Sequence, residues 1–452
     1  MSKYTQRVSN LPFEFSNKLV TPWGGLRYLQ EFMEHCGFRQ KLRELEFHKP
    51  GSGAGANHFE YVESFLVSVI LGAKRCSDAE LLRLDEPIRT MFGWKKGMPD
   101  QSTLSRFFRK YDRHHSTDIF TELNKWWFST IQKGYLTVDF DSTVITRYGE
   151  QEGVAVGYNP KKQGRGSHHP ILAFVNELNM VAHATLRPGN AVSKSDFEPF
   201  LEQTIDIIGV DKIALARLDS GFYSNDVMTQ FESKEIPYII AAKFTSALVT
   251  RVIEKATWIK AKDGVEYRSF MYQAQGWKAA RRIVVVRKNS ELLANASGKT
   301  LFPEMDDYQK YRYSAYVTTA AISDDLVWEV YKHRAEAENQ IKELKMEYGL
   351  DGFCFKDMAA TEFAFRWVTV AYNLMNLFRI TAYNSDVKHV LKTMKFNCIA
   401  IGAYLVRHSR RTVLKMCVHE KRRSFFDQIF QRIIVYENPK VVTCEIAHLP
   451  IA

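Results

Sequence analysis

Cysteine is sparse and scattered in this chain. Its six cysteines, Cys36, Cys76, Cys354, Cys398, Cys417 and Cys444, form no C-x-x-C pair. That spacing argues against a zinc ribbon and a disulfide framework, and predicts a reducing, intracellular setting. Long apolar runs are missing too. The opening MSKYTQRVSNLPFEFSNKLV holds no continuous apolar stretch of the kind a signal peptide carries. The most apolar segment, residues 363–378, is interrupted by Arg366, Asn373 and Asn376. It is too short and too polar to span a bilayer. Internal repeats and low-complexity linkers are absent. Acidic residues are in deficit: 51 Asp+Glu face 62 Lys+Arg, a net charge of +11. Residues 385–452 alone carry 12 Lys+Arg against 5 Asp+Glu, a net of +7. A basic chain without a membrane span predicts a polyanionic partner, with nucleic acid ahead of a lipid surface.

What is present is ordinary globular material. The chain is 45% hydrophobic and 25% charged over 452 residues, enough for two or more domains. Residues 24–133 show apolar residues at helical spacing. Within them PDQSTLSRFFRKY predicts a short basic helix bearing Arg106, Arg109 and Lys110. A helix-turn-helix reader and a plain helical bundle both accommodate it. The texture changes at Gly134. YLTVDFDSTVIT alternates as a strand does, with Thr137, Asp139 and Asp141 on one face. A Gly-rich basic loop with Lys161, Lys162 and Arg165 follows; it either holds a phosphate backbone or is solvated. His168 and His169 beside it are expected as loop or partner-facing groups. Two more strands come next, with a tight turn near Asn179. Then come a helix capped by Ser193 or Ser195, a strand ending at Asp219, a second helix and a fifth strand. That order predicts a mixed sheet with helices packed on it. Residues 245–312 break the pattern as a smaller β-rich unit holding Trp258 and Trp277. Helical spacing returns at Ser323 and runs to about Tyr348, then again over about Ala359–Ala382. A hairpin turning at His408–Arg411 and a basic amphipathic helix close the chain.

One helix holds too many glutamates. In YKHRAEAENQIKELK, Tyr331, Arg334, Glu338 and Lys345 project within about 60° of each other on a continuous helix. Glu336 and Glu343 fall on the far side, toward solvent. The plain alternative for this face is a solvated stripe with an Arg334–Glu338 ion pair. The strands give a reason to prefer more. Asp141 lies on the first strand and Asp219 ends the fourth, which a sheet of this order makes neighbours. Three carboxylates thus converge at one sheet edge. Carboxylate oxygens suit hard ions such as Mg²⁺. Two such ions about 4 Å apart clamp a phosphoryl displacement. Alternation alone leaves Asp139 and Asp141 equal candidates for the first carboxylate.

The spacing Tyr331–Arg334–Glu338–Lys345 resembles the Y-x2-R-x3-E-x6-K signature of DDE transposases of bacterial insertion sequences. The runs DST at 141–143 and LDSGF at 218–222 resemble the marks of that family's two aspartates, which favours Asp141 over Asp139. The resemblance covers residues 134–382. It implies an RNase H-like α/β core of mixed (α+β) type, with a β-rich insertion and a helical N-terminal domain. It implies Asp141, Asp219 and Glu338 as catalytic metal ligands for two Mg²⁺ ions, with Mn²⁺ as a substitute. Tyr331, Arg334 and Lys345 would grip DNA near the cleaved phosphate. An aromatic of the insertion, Trp258 or Trp277, would stack on a base, while at least one of the two would pack the small β-unit. The implied activity is cut-and-paste transposition: strand cleavage at element ends, then strand transfer into target DNA. The implied partners are double-stranded DNA, as terminal inverted repeats and target, and a second copy in the DNA complex. The implied setting is the bacterial cytoplasm beside the nucleoid. A metal-dependent nuclease without strand transfer, and a DNA-binding regulator derived from a transposase, are the rival readings. The expected domains are a helical DNA-binding region at 1–133 and core segments at 134–244 and 313–384. An insertion at 245–312 and a basic DNA-binding or dimerisation region at 385–452, with Arg410 and Arg411, complete them.

Overall fold

Strand β1 (Leu136–Ser142) alternates as its sequence demands, and both of its faces are covered. The computed structural model describes residues 13–48, 57–131, 134–253, 257–261, 264–289, 311–385, 387–409 and 411–439. On one face of β1, Phe140 meets Phe197, Phe200 and Phe231 at ring-centroid distances of 5.4, 6.2 and 5.8 Å. These belong to helices α2 (Phe197–Ile208) and α3 (Asn225–Ser233). Burying such aromatic area is the main drive for packing these helices on the sheet. Asp139 and Asp141 therefore emerge on the opposite face, as the period of two requires.

Strands β2 (Ile171–Val175) and β3 (Met180–Thr185) continue β1 as an antiparallel meander. Asn179 makes the tight turn at φ 52°, a left-handed conformation that asparagine tolerates. Strands β4 (Ile213–Leu218) and β5 (Tyr238–Ala241) add in parallel on the other side. The order β3-β2-β1-β4-β5 is the mixed sheet expected from the sequence. Helix α2 starts differently from expectation. Its N-cap is Asp196, at φ 52° and without a side-chain bond. Ser195 Oγ accepts instead from Val192 N–H, and Ser193 Oγ bonds Ser142.

The segment expected to stand apart extends the same sheet. Strands β6 (Ile259–Lys260), β7 (Val265–Tyr272), β8 (Arg281–Asn289) and β9 (Tyr311–Thr318) run antiparallel, and β9 pairs with β5. Among the described residues, nine strands form one sheet, in the order β6-β7-β8-β9-β5-β4-β1-β2-β3. The reason is the edge of β5: Tyr238, Ile239 and Ile240 are fully buried, and such an edge needs a partner strand. Arg268 of β7 also donates to the carbonyls of Arg251 and Val252 in helix α4 (Ser246–Ile253).

The long helix expected from Ser323 to Tyr348 is two helices, α5 (Asp324–Lys332) and α6 (Ala335–Glu347). Helix α7 (Met358–Phe378) follows, and Arg366, Asn373 and Asn376, which interrupt its apolar run, find internal partners. Asn373 accepts from Val181 N–H at 2.7 Å and donates to Val181 O at 2.8 Å. Asn376 donates to Asn179 O, and Arg366 pairs with Glu362. Helix α1 (Arg113–Thr130) packs on the same sheet, with Asn124 donating to Ala182 O. Among the described residues, no helix is long and apolar enough to cross a membrane.

These elements form one compact unit, built on Phe107–Leu377. Residues up to Arg106 together with Phe378–Glu437 form another. That second unit is helical, with a small sheet made of Val20–Thr21 and the hairpin Ala403–His408/Arg411–Met416. The hairpin turns where expected, with His408 opposite Arg411. Glu63 anchors its core: it is fully buried and accepts from Arg39 and from Trp94 Nε1. Burying a carboxylate demands such compensation.

Candidate active site

Asp141 stands near the end of β1, and Asp219 directly follows β4. The two strands are parallel neighbours, so their carboxyl ends lie side by side. Asp219 caps the short turn Ser220–Phe222 and accepts from Gly221 N–H at 2.8 Å. Asp141 Oδ1 accepts from Ser142 N–H, also at 2.8 Å. Ser142 Oγ then bonds Ser193 Oγ at 2.9 Å and His169 Nε2 at 3.2 Å.

Arg334 brings the third carboxylate to this pair. It sits in the break between α5 and α6. Its guanidinium lies 3.2 Å from Asp141, 3.1 Å from Glu338 and 3.9 Å from Asp219. The side chains grade outward: Asp141 is 7% exposed, Asp219 37% and Glu338 67%. The helical wheel misplaced the neighbouring glutamates. Glu343, expected in solvent, is buried, and Glu336 is half-buried. Ala337, Ile341 and Leu344 of the expected stripe are buried too, so α6 is covered on more than one side. The helix is also broken at Arg334. Arg334, Glu336 and Ala337 N–H each bond a carbonyl three residues back, at Tyr331, His333 and Arg334. That tighter winding resets the phase of every residue after it.

The charges are strongly coupled. Burial pushes the Asp141 carboxyl up to about 7; Arg334 opposes that rise, while Asp219 and Glu338 add to it. Burial alone would lower the Arg334 pKa, but Asp141, Tyr331 and Asp219 hold it above the ordinary arginine range. Burial also lowers Lys345 to about 8, with Lys161 adding to the shift. Lys345 donates to Thr143 Oγ1 at 2.6 Å and to Val144 O at 2.8 Å, tying α6 to the segment after β1. Tyr331 donates to Leu218 O at 3.2 Å, tying the end of α5 to β4. Asp139 does not join this group. It is fully buried and paired with Arg217 at 2.6 and 2.7 Å.

Residues 5–437 match the family described as Transposase DDE domain group 1. The chain belongs to the DDE transposases. No curated protein matches it. Among solved structures, the chain is similar to a piggyBac transposase synaptic complex with hairpin DNA, seen by cryo-electron microscopy. That likeness has a TM-score of 0.41 and 9% identity, over 83% of this chain and 79% of that one.

DDE transposases generally use divalent metal ions. The donor set in this transposase fits such an ion: three carboxylates from three elements surround one positive charge, and oxygen is the donor hard cations prefer. Among the described residues, no three His, Cys, Asp or Glu side chains are close enough to enclose one ion as placed. The Arg334 guanidinium stands among the carboxylates instead.

The other expected DNA contacts of the transposase are spread out. Lys161, Lys162 and Arg165 are exposed on their loop, and Lys162 lies over the Tyr148 ring at 4.9 Å. Arg109 pairs with Asp357 at 3.1 Å. Arg106 and Arg411 are exposed and belong to the other unit; Arg410 lies outside the described residues. His168 and His169, expected as loop or partner-facing groups, are buried. His168 bonds Arg147 and Glu152 O, while His169 bonds Ala191 O and Ser142. Trp258 lies under the Arg287 guanidinium at 4.2 Å. Trp277 sits against Tyr223, Tyr272 and Arg281.

Gly221 makes one test of this geometry. A Cβ there would lie 2.5 Å from Ser193 Oγ and 2.9 Å from Asp219 Oδ1. Gly221→Ala is expected to displace Asp219 and slow DNA strand cleavage roughly tenfold, with little change in melting temperature. Unchanged cleavage by a folded Gly221→Ala protein would show that Asp219 tolerates the shift.

Proposed function

We propose that this transposase cleaves DNA at the ends of an insertion sequence and joins the freed ends to target DNA by a cut-and-paste route. The observation that carries the reading is the convergence of Asp141, Asp219 and Glu338 on one cationic group at the carboxyl ends of β1 and β4. Asp141, Asp219 and Glu338 would hold two Mg²⁺ ions, with Mn²⁺ as a substitute. When bound, such ions lower the pKa of a water and shield the phosphodiester charge, for both hydrolysis and strand transfer.

The protein's own groups do the rest. Once ions take its place among the carboxylates, the Arg334 guanidinium would turn to a DNA phosphate, in the bidentate manner arginine favours. Tyr331 and Lys345 would flank the same phosphate. The exposed cations Lys161, Lys162, Arg165, Arg106 and Arg411 would track the duplex backbone. Two copies would bridge the two terminal inverted repeats. An open carboxylate such as Glu338 suits ion capture from solvent, while Asp141 supplies a fixed inner position.

Glu338→Gln and Glu336→Gln separate this reading from the plain one. DNA carrying the terminal repeats that flank the gene is incubated with each variant and Mg²⁺. Glu338→Gln is expected to lower strand nicking roughly 10²-fold, and Glu336→Gln to leave it near wild type. The reverse pattern removes Glu338 from the triad. Nicked ends that never join target DNA would mark a nuclease rather than a transposase.

A further inference from the structure

Two carboxylates of the proposed triad share a feature one strand repeat below them. Asp139 precedes Asp141 by two residues, and Arg217 precedes Asp219 by two. Asp139 and Arg217 are direct register partners across the parallel β1–β4 pair. A period of two puts each on the same face as the aspartate above it. Both are buried, Asp139 fully.

Arg217 uses its guanidinium in two directions. Nε and Nη2 donate to the two Asp139 oxygens at 2.6 and 2.7 Å. Nη1 donates to Val330 O at 2.6 Å. A continuous α-helix would offer that carbonyl to Arg334 N–H, four residues on. Arg334 N–H bonds Tyr331 O at 2.9 Å instead. So Arg217 engages the helix at the turn where it breaks. The next residue on each side repeats the tie, because the Tyr331 hydroxyl donates to Leu218 O.

We propose that the Asp139–Arg217 pair is the floor of the active site, a positioning device that fixes the end of α5 against β4. It thereby sets where Arg334 and Glu338 stand relative to Asp141 and Asp219. Neither residue touches DNA or metal. Arginine is required because its planar fork serves the carboxylate and the carbonyl together; a lysine ammonium lacks that geometry. This inference rests on the proposed triad, so its test carries a readout independent of activity.

The test compares wild type with Arg217→Lys and with the double variant Asp139→Leu/Arg217→Met. Apolar replacement of a whole buried pair is often tolerated, whereas removing one partner leaves an uncompensated buried charge. Arg217→Lys leaves Asp139 neutralised. In both variants, amide exchange over residues 330–337 is expected to rise roughly tenfold, with β1 and β4 still protected. Nicking of a supercoiled plasmid with Mn²⁺ is expected to fall roughly tenfold at saturating DNA. The DNA concentration at half-saturation should move less than about twofold, because affinity comes from many surface cations. Wild-type exchange over 330–337 in folded Arg217→Lys overturns the proposal. So does a uniform rise across all elements, which marks a merely structural pair. Should the double variant fail to fold, Arg217→Lys carries the comparison alone. Absence of nicking by wild type would count against the proposed function, while exchange still judges the floor.

Discussion

Asp141→Asn is expected to abolish DNA cleavage and, without metal, to stabilise the protein at alkaline pH. The two effects have one cause. Burial raises the Asp141 carboxyl to about 7, against an ordinary value near 3.8. The folded chain therefore keeps a proton that the unfolded chain gives up. The stability tied to that proton is fully present below about pH 4 and is lost as pH rises through about 7. The loss reaches about 4 kcal/mol, from a shift of about three units. Asparagine has no proton to lose, so the variant's melting temperature should stay level where wild type declines. At pH 4 the two proteins should melt alike. Cleavage should fall on the order of 10³-fold, since an amide does not replace a buried anion facing developing charge. Divalent cations should reverse the wild-type decline. Their apparent affinity should weaken about tenfold per pH unit below 7, because the proton competes for the same oxygens. Melting curves from pH 4 to 9, with and without Mn²⁺, check all of this. Parallel curves for the two proteins would remove Asp141 from the site.

Much of this site was legible because its logic is local. The alternation of LTVDFDS puts both aspartates on one face, and Phe140 on the other face is buried by two helices. The order of strands and helices fixes β1 and β4 as neighbours. The glutamate spacing picked out Arg334 and Glu338 as a pair, and they are 3.1 Å apart. What escaped the sequence depends on distant partners. No proline or glycine marks the break at His333–Arg334. It coincides with Arg217, far away in the chain, bonding Val330 O. The wheel put Glu343 in solvent, yet it is buried along with the expected stripe of Ala337, Ile341 and Leu344, because α6 is covered on more than one side. Likewise the β5 edge is covered by β9 from beyond the expected insertion, a pairing that no local pattern announces. His168 and His169 look like a polar loop, but Arg147 and Ser142 give them buried partners. One signal was available for the Asp139–Arg217 floor. D-x-D and R-x-D on adjacent parallel strands place a carboxylate beside a guanidinium one repeat below the site.

Arg334→Gln should reveal how the empty site manages its own repulsion. Three carboxylates around one guanidinium form a balanced group only while the cation is there. Removing it leaves Asp141 buried without its close counter-ion. Breaking a buried pair in this way costs about 3 kcal/mol or more. The cost depends on pH, because Asp141 can protonate. Relative to wild type, the variant should lose most stability near pH 8 and above, and close the gap as pH falls below about 6, where Asp141 is neutral in both proteins. A divalent cation supplies the same missing charge. Millimolar Mn²⁺ should therefore stabilise Arg334→Gln more than wild type, where the guanidinium competes for the same oxygens. DNA cleavage should nonetheless fall roughly 10²-fold, since the variant loses the proposed phosphate contact. On the proposed reading, arginine at this position would do two jobs that exclude each other at any moment. It would neutralise the carboxylates before DNA arrives, and turn to phosphate once cations replace it. Equal melting and equal Mn²⁺ response in the two proteins would refute that exchange.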